Sequence, residues 1–285
     1  MIGSLQTGVS GLQQFQEDLE VIGNNIANVN TTGYKSSDMQ FADTFSQTVG
    51  GSASGAVMQV GSGVTSASIN SDFTQGPINP TGNPSDLAIS GNGFFVVKDA
   101  STGAPYVTRD GSFSVDTNGF LVNNEGYRVQ GYTGPGPYTA ASPIGDLKYD
   151  AATAISALND TTTPAPTLVG DINIDSAGQI NATLSDGTKG VIGQVVLQNF
   201  TNPQALSKQG NNLYTYTATA GALTAPIAPS TGGLGSVQAG KLETSNVDLA
   251  AQMAALITAQ RAFEANAKII TTSDEVLQDL NNLKR

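Results

Sequence analysis

The chain has 285 residues, with 12 Lys and Arg against 23 Asp and Glu, a net charge of −11, no cysteine and no histidine. That composition excludes a disulfide framework, thiolate metal sites and histidine-based triads or zinc centres. It also argues against a polyanion-binding surface: residues 1–35 carry −2, residues 36–240 carry −8 and residues 241–285 carry −1, so no basic patch is set aside for nucleic acid.

The chain opens on an amphipathic helix. Leu5, Leu12, Leu19 and Ile26 recur every seven residues, and Phe15, Ile22 and Val29 form a second row offset by three. This is an a/d heptad pattern. Gly3, Gly8 and Gly11 weaken such a helix in isolation by roughly 1 kcal/mol each relative to alanine. The first 15 residues have neither a basic start nor a continuous apolar segment, so no conventional cleavable signal peptide is expected. The helix runs into GNNIANVNTTGYK, Gly23 to Lys35, which is rich in poor helix formers. Asn24, Asn25 and Asn28 are expected to bond neighbouring backbone at the helix end. Gly33 is the expected positive-φ residue that releases the chain.

Residues 36–75 read as a linker or extended segment, with Gly, Ser and Ala concentrated at 46–64. From Asp86 onward short alternating runs separated by Asn, Gly and Asp predict consecutive hairpins, among them Phe94–Val97, Tyr106–Arg109 and Phe113–Val115. One pattern occurs twice: Phe113-x-Val115-Asp116-x-x-Gly119-x-Leu121 matches Ile172-x-Ile174-Asp175-x-x-Gly178-x-Ile180. Each reads as strand, turn and return strand; the ligand spacing of a calcium loop is absent. Gly91-Asn92-Gly93 leads into a strand without the lysine and helix of a phosphate loop, and so reads as a turn. Residues 133–168 form a Pro/Gly/Thr-rich insertion, and 221–240 a last extended stretch.

The C-terminal segment repeats the heptad. Leu249, Leu256, Phe263, Ile270 and Leu277 are seven apart, broadened by Met253, Ala259 and Ala267. Ser245 is the expected N-cap, and no glycine or proline interrupts residues 246–283. The fold class expected is α+β: paired, coiled-coil-like terminal helices around an elongated all-β middle domain of hairpins. The domains expected are 1–35 with 241–285 as paired helices, 36–75 as linker, 76–132 with 169–240 as the β-rich part, and 133–168 as insertion. No apolar run reaches the ~20 residues that span a membrane. No cluster of Asp, Glu, Lys or Tyr has catalytic spacing, so neither an enzyme nor a cofactor is expected.

The motifs at both ends resemble the bacterial flagellar axial proteins, the rod, hook and hook-associated subunits. GNNIANVNTTGYK resembles their N-terminal signature, and ETSNVDLAAQMAALITAQRAFEANAKIITTSDEVLQDL, Glu243 to Leu280, their C-terminal one. The signature positions are Asn24, Asn25, Asn28, Gly33, Tyr34, Lys35, Asn246, Gln260 and Arg261. DLAISGNGFFVV, RDGSFSVDTNGFLVNNEGYRVQGY and VVLQNFTNPQALSKQGNNLY are most similar to hook subunits, in a short form without a large outer domain.

The resemblance implies an exported, uncleaved subunit of a tubular homopolymer with an axial channel, acting in the extracellular hook as a flexible joint that transmits torque. It implies an inner layer of terminal helices, with Leu5, Leu12, Phe15, Leu19, Ile22, Ile26, Leu249, Met253, Leu256, Phe263, Ile270 and Leu277 as the assembly stripe. The implied partners are further copies, the distal rod protein, the hook cap protein, the hook–filament junction protein and the flagellar type III export apparatus. Nucleic acid and membrane insertion are not expected. A rigid distal rod subunit is the nearest alternative. A soluble adhesin-like binding module with coiled-coil ends is an alternative of another class.

Overall fold

The computed structural model describes residues 2–51, 57–133, 138, 142–148, 173–183, 189–216, 218–221 and 225–283. An N-terminal helix and a C-terminal helix bracket a large β-rich middle. The chain forms two compact units: Met1–Val29, Lys35–Asp72 and Val247–Arg285 make the first, and Asn30–Tyr34 with Phe73–Asn246 the second.

In the first unit, α1 (Ile2–Ala27) and α2 (Leu249–Leu283) pack against each other. Four strands lie between them in sequence: β1 (Ser37–Asp43), β2 (Ser46–Gly51), β3 (Val57–Gly61) and β4 (Val64–Ser71). Within residues 36–75, expected as a linker or extended segment, the described residues form two ribbons, β1 with β4 and β2 with β3, both antiparallel. Small Ser and Gly side chains let β4 and its preceding turn lie close against α1. Thus Gly63 approaches Ser10 of α1, and the Val64 amide donates to Ser10 Oγ. Phe41 of β1 stacks at a tilt on Phe15 of α1, 5.5 Å between ring centres.

The cap of α2 is Asp248, not Ser245. The Asp248 carboxylate accepts from the amides of Ala250 at 2.9 Å and Ala251 at 3.3 Å, and its carbonyl accepts the first helical bond from Gln252. Ser245 is buried three residues earlier. A carboxylate at this position bonds exposed amides and complements the helix dipole, which a hydroxyl cannot do as well.

Asp18 on α1 is partly buried, and burial first, then the negative charge of Asp38, raises its pKa above the usual 3.8. Its ionised form therefore costs the first unit stability at neutral pH. That cost disappears as pH falls through the raised folded value towards 3.8. Asp18→Asn is expected to raise the thermal midpoint at pH 7 and to match the wild type below pH 3.8; a midpoint difference that grows on acidification would contradict this.

The second unit is built from hairpins. Its strands are β5 (Ile78–Pro80), β6 (Leu87–Ser90), β7 (Phe94–Lys98), β8 (Pro105–Thr108), β9 (Ser114–Val115), β10 (Leu121–Val122), β11 (Arg128–Thr133), β12 (Ile144–Asp146), β13 (Asn173–Ile174), β14 (Gln179–Thr183), β15 (Lys189–Val195), β16 (Leu197–Gln198), β17 (Ser207–Gly210), β18 (Leu213–Thr215), β19 (Ser236–Ala239) and β20 (Lys241–Glu243). Among the described residues, twelve of them form one sheet, along the path β13-β14-β15-β11-β7-β8-β18-β17. β6 pairs with β19, and β5 with β20.

The run Phe94–Val97 explains the two cores. Successive side chains of a strand point to opposite faces. Phe95 and Val97 enter one cluster with Leu121, Val129 and Leu197, while Phe94 and Val96 enter a second with Phe200 and Tyr214. β7 is covered on both sides, so four apolar residues in a row suit it where strict alternation would not. The repeated turns form as expected: the Gly119 amide donates to the Asp116 carbonyl at 2.8 Å and that of Gly178 to Asp175 at 2.9 Å, with φ of +79° and +72°. The Asp116 carboxylate bonds Thr117 and Asn118 of its own turn. The insertion expected at 133–168 lies mostly outside the described residues.

Candidate assembly surface and chain junction

The helix pair is antiparallel and meets through small and polar residues. A Cβ on Gly8 would lie 3.1 Å from Ile270 Cγ1, and one on Gly11 would lie 2.7 Å from Asn266 Nδ2. At the other end Asn25 Nδ2 donates to Gln252 Oε1 at 3.3 Å. Gly8 and Gly11, two of the glycines that weaken α1 in isolation, are what let α2 approach it. The seam on α2 thus runs through Gln252, Ala259, Asn266 and Ile270, with Ala259 buried.

This placement divides the expected stripe. On α1, Ile22 is buried, and Leu5, Leu12, Phe15, Leu19 and Ile26 are half-buried. On α2, Leu256 and Ile270 are half-buried, whereas Leu249, Met253, Phe263 and Leu277 are exposed. Met253 is 45% and Ile257 57% exposed. At 100° per residue, Leu249, Met253, Leu256, Phe263 and Ala267 share a face about a quarter turn from the α1 seam. The heptad residues of α2 therefore divide: Ile270 joins the seam with α1, whereas Leu249, Met253, Leu256 and Phe263 lie along its flank.

The signature residues gather at the chain junctions. Asn25 is buried and works as a strand would: its Nδ2 donates to the Ser37 carbonyl at 2.8 Å, and its Oδ1 accepts from the Ser37 amide at 3.0 Å. Asn28 is half-buried and reaches back to exposed Asn24, donating to its carbonyl at 2.9 Å and its side chain at 2.8 Å. Gly33, Tyr34 and Lys35 are buried. Gly33 has a φ of +66°, but it lies six residues past the end of α1, so the helix is closed by the asparagines and not by this glycine. Asn246 donates to Thr74 Oγ1 at 3.0 Å. Gln260 and Arg261 are exposed, and Arg261 pairs with Glu264 at 3.1 Å on the surface.

Inside the second unit, residues 30–34 are threaded among strands distant in sequence. Thr32 donates to the Asp110 carboxylate at 3.0 Å and accepts on its carbonyl from Asn212 at 2.7 Å. The Lys208 ammonium lies 5.3 Å from the centre of the Tyr34 ring, and burial raises the pKa of the Tyr34 hydroxyl. The Gly33 amide donates to the Glu243 carbonyl at 2.8 Å.

Glu243 is the centre of a buried charge pair. Its Oε2 accepts from Arg109 Nη1 at 3.2 Å and its Oε1 from the Gly76 amide at 3.0 Å, with side-chain exposures of 0% and 4% for Glu243 and Arg109. Arg109 also donates through Nη2 to the Gly91 carbonyl at 3.0 Å and lies over the Phe94 ring at 5.2 Å. Burial pulls the arginine pKa down, opposed by the Glu243 carboxylate, and a guanidinium stays protonated under such a shift. Sequence reasoning missed Arg109, Glu243, Ser37 and Gln252 as site residues. They lie inside or beside recognised motifs, but no local spacing links positions 134 residues apart.

Three family models match the chain: "Flagella basal body rod protein" over residues 5–35, "Flagellar hook protein FlgE/F/G D1 domain" over 88–182 and "Flagellar basal body rod FlgEFG protein C-terminal" over 238–283. The chain is 40% identical over 292 residues to the flagellar basal-body rod protein FlgG of Bacillus subtilis, covering 100% of both chains. It is 34% identical over 294 residues to FlgG of Borreliella burgdorferi, again covering both fully. The flagellar hook protein FlgE of the same organism matches at 29% over a 446-residue alignment that also covers 100% of both.

Proposed function

The chain belongs to the bacterial flagellar rod and hook protein family, and on that premise we propose that it is a structural subunit of the rod, polymerising through its terminal helices. The exposed apolar row on α2 carries this reading. Of the 35 residues of α2, Ala259 alone among the described ones is buried, although Leu249, Met253, Ile257 and Phe263 are large and apolar. An isolated helix leaves such a row in water; further copies of the same helix pair remove it from water without a new partner. The family consists of structural flagellar components, and the reading assigns this chain no catalytic step.

The comparison within Borreliella burgdorferi supports rod over hook. The rod protein there matches at higher identity and nearly equal length, whereas the hook protein carries a long additional stretch that this chain lacks. The paired ribbons β1–β4 and β2–β3 also suit a stiff connector better than a loose linker does. The second reading is the hook subunit, a flexible torque-transmitting joint, favoured by full-length alignment to a hook protein. In either case the partners are further copies and neighbouring flagellar axial proteins.

Immunogold labelling of purified hook–basal bodies with antibody to this chain separates the two. Gold is expected on the straight segment within the cell envelope. Gold along the curved external segment would replace the rod reading with the hook reading.

A further inference from the structure

The chain passes between its two units four times, after residues 29, 34, 72 and 246. At every passage the flanking residue of the second unit lies within three residues of Gly33, Gly76 or Glu243. These three are joined directly: the Gly33 amide to the Glu243 carbonyl, and the Gly76 amide to the Glu243 carboxylate. Arg109 closes the set by holding the other carboxylate oxygen, and it anchors the whole to the Gly91 turn that opens β7. One buried ion pair thus lies beside the second-unit end of every connector.

We infer that the Arg109–Glu243 pair is a mechanical clamp that positions the connectors as one element. Burying two charges is a poor route to stability, since desolvation offsets much of their attraction. It is a good route to fixed geometry, because two carboxylate oxygens and a planar guanidinium specify directions that apolar contacts do not. A subunit in a torque-bearing tube needs that fixity where the chain leaves its β-rich unit, so the mechanical purpose rests on the tube reading. Neither Arg109 nor Glu243 lies in the α2 row assigned to polymerisation.

Amide hydrogen exchange on the full-length chain tests the clamp. Glu243→Ala and Arg109→Met are expected to raise exchange at the Gly33 and Gly76 amides at least tenfold, while Val97 in β7 and Val129 in β11 keep wild-type protection. A uniform rise across all four amides would make the pair an ordinary core contact and overturn the inference, as would no rise at all. If either variant does not fold, Glu243→Gln decides: it keeps the shape and one acceptor oxygen but loses the charge, and it is expected to give a smaller, equally selective rise. Polymers of Glu243→Gln are expected to lose at least half their persistence length in electron micrographs. Unchanged stiffness alongside selective exchange would remove the mechanical role. Failure of the wild type to form tubes would instead overturn the tube reading and leave the exchange result standing.

Discussion

Met253→Asp combined with Ile257→Asp is expected to abolish polymerisation while leaving the monomer folded. Both side chains are about half exposed and lie away from the α1 seam, so neither supports the helix pair. Within the monomer the cost is the weaker helix propensity of aspartate, about 0.5 kcal/mol per position. In a polymer the same positions come out of water, and each aspartate replaces an apolar anchor with a charge lacking a partner. A combined loss of about 3 kcal/mol or more follows for each subunit added, equivalent to over a hundredfold in critical concentration. Sedimentation, with circular dichroism as the fold control, reads both sides. Pelleting at wild-type concentrations would show that α2 does not form the contact. Loss of helical signal would show instead that the row supports the monomer.

Gly33→Ala is expected to destabilise the second unit strongly. Two costs add. The φ of +66° is strained for any residue with a Cβ, by roughly 1–2 kcal/mol. That Cβ would also lie 2.5 Å from the Asp110 amide nitrogen and 2.7 Å from the Arg109 carbonyl carbon. These are backbone atoms beside a buried ion pair and cannot swing aside, so a further ~2 kcal/mol of overpacking follows. A total near 3–4 kcal/mol predicts a fall of about 6–16 °C in the thermal midpoint. Gly103→Ala is the control. It has a similar φ of +73°, but its nearest contact would be the flexible end of Lys98 at 3.5 Å, so only the backbone cost remains. Equal effects at the two sites would mean that the approach to Arg109 and Asp110 is not what requires glycine.

The Gly33 prediction bears on how the N-terminal signature works. GNNIANVNTTGYK joins two jobs in thirteen residues. Its first half ends a helix with side-chain amides, and Asn25 fixes the start of β1 through Ser37. Its second half supplies the one residue type that fits against Arg109 and Asp110. The asparagine bonds to backbone were legible from residue type, since short amides compete for backbone groups wherever a helix ends. The partner of Asn25, twelve residues on, was not.

The sequence by itself determined the two end helices, the turns at Asp116–Gly119 and Asp175–Gly178, the positive φ of Gly33 and the family. These follow from periodicity, turn chemistry and motif wording, which depend on residues close in the chain. Its heptads also marked the apolar row of α2. What only the tertiary structure decided is which face of each helix is spent inside the subunit. Gly8 and Gly11 stand where α2 comes closest, against Ile270 and Asn266, because a helix without side chains at the crossing allows the nearest approach. Met253, Ile257 and Phe263 stay exposed on α2, in the row proposed above to meet another copy. The same limit hid Arg109 and Glu243: a charge becomes a clamp only when folding removes it from water beside its partner, and no local pattern records that.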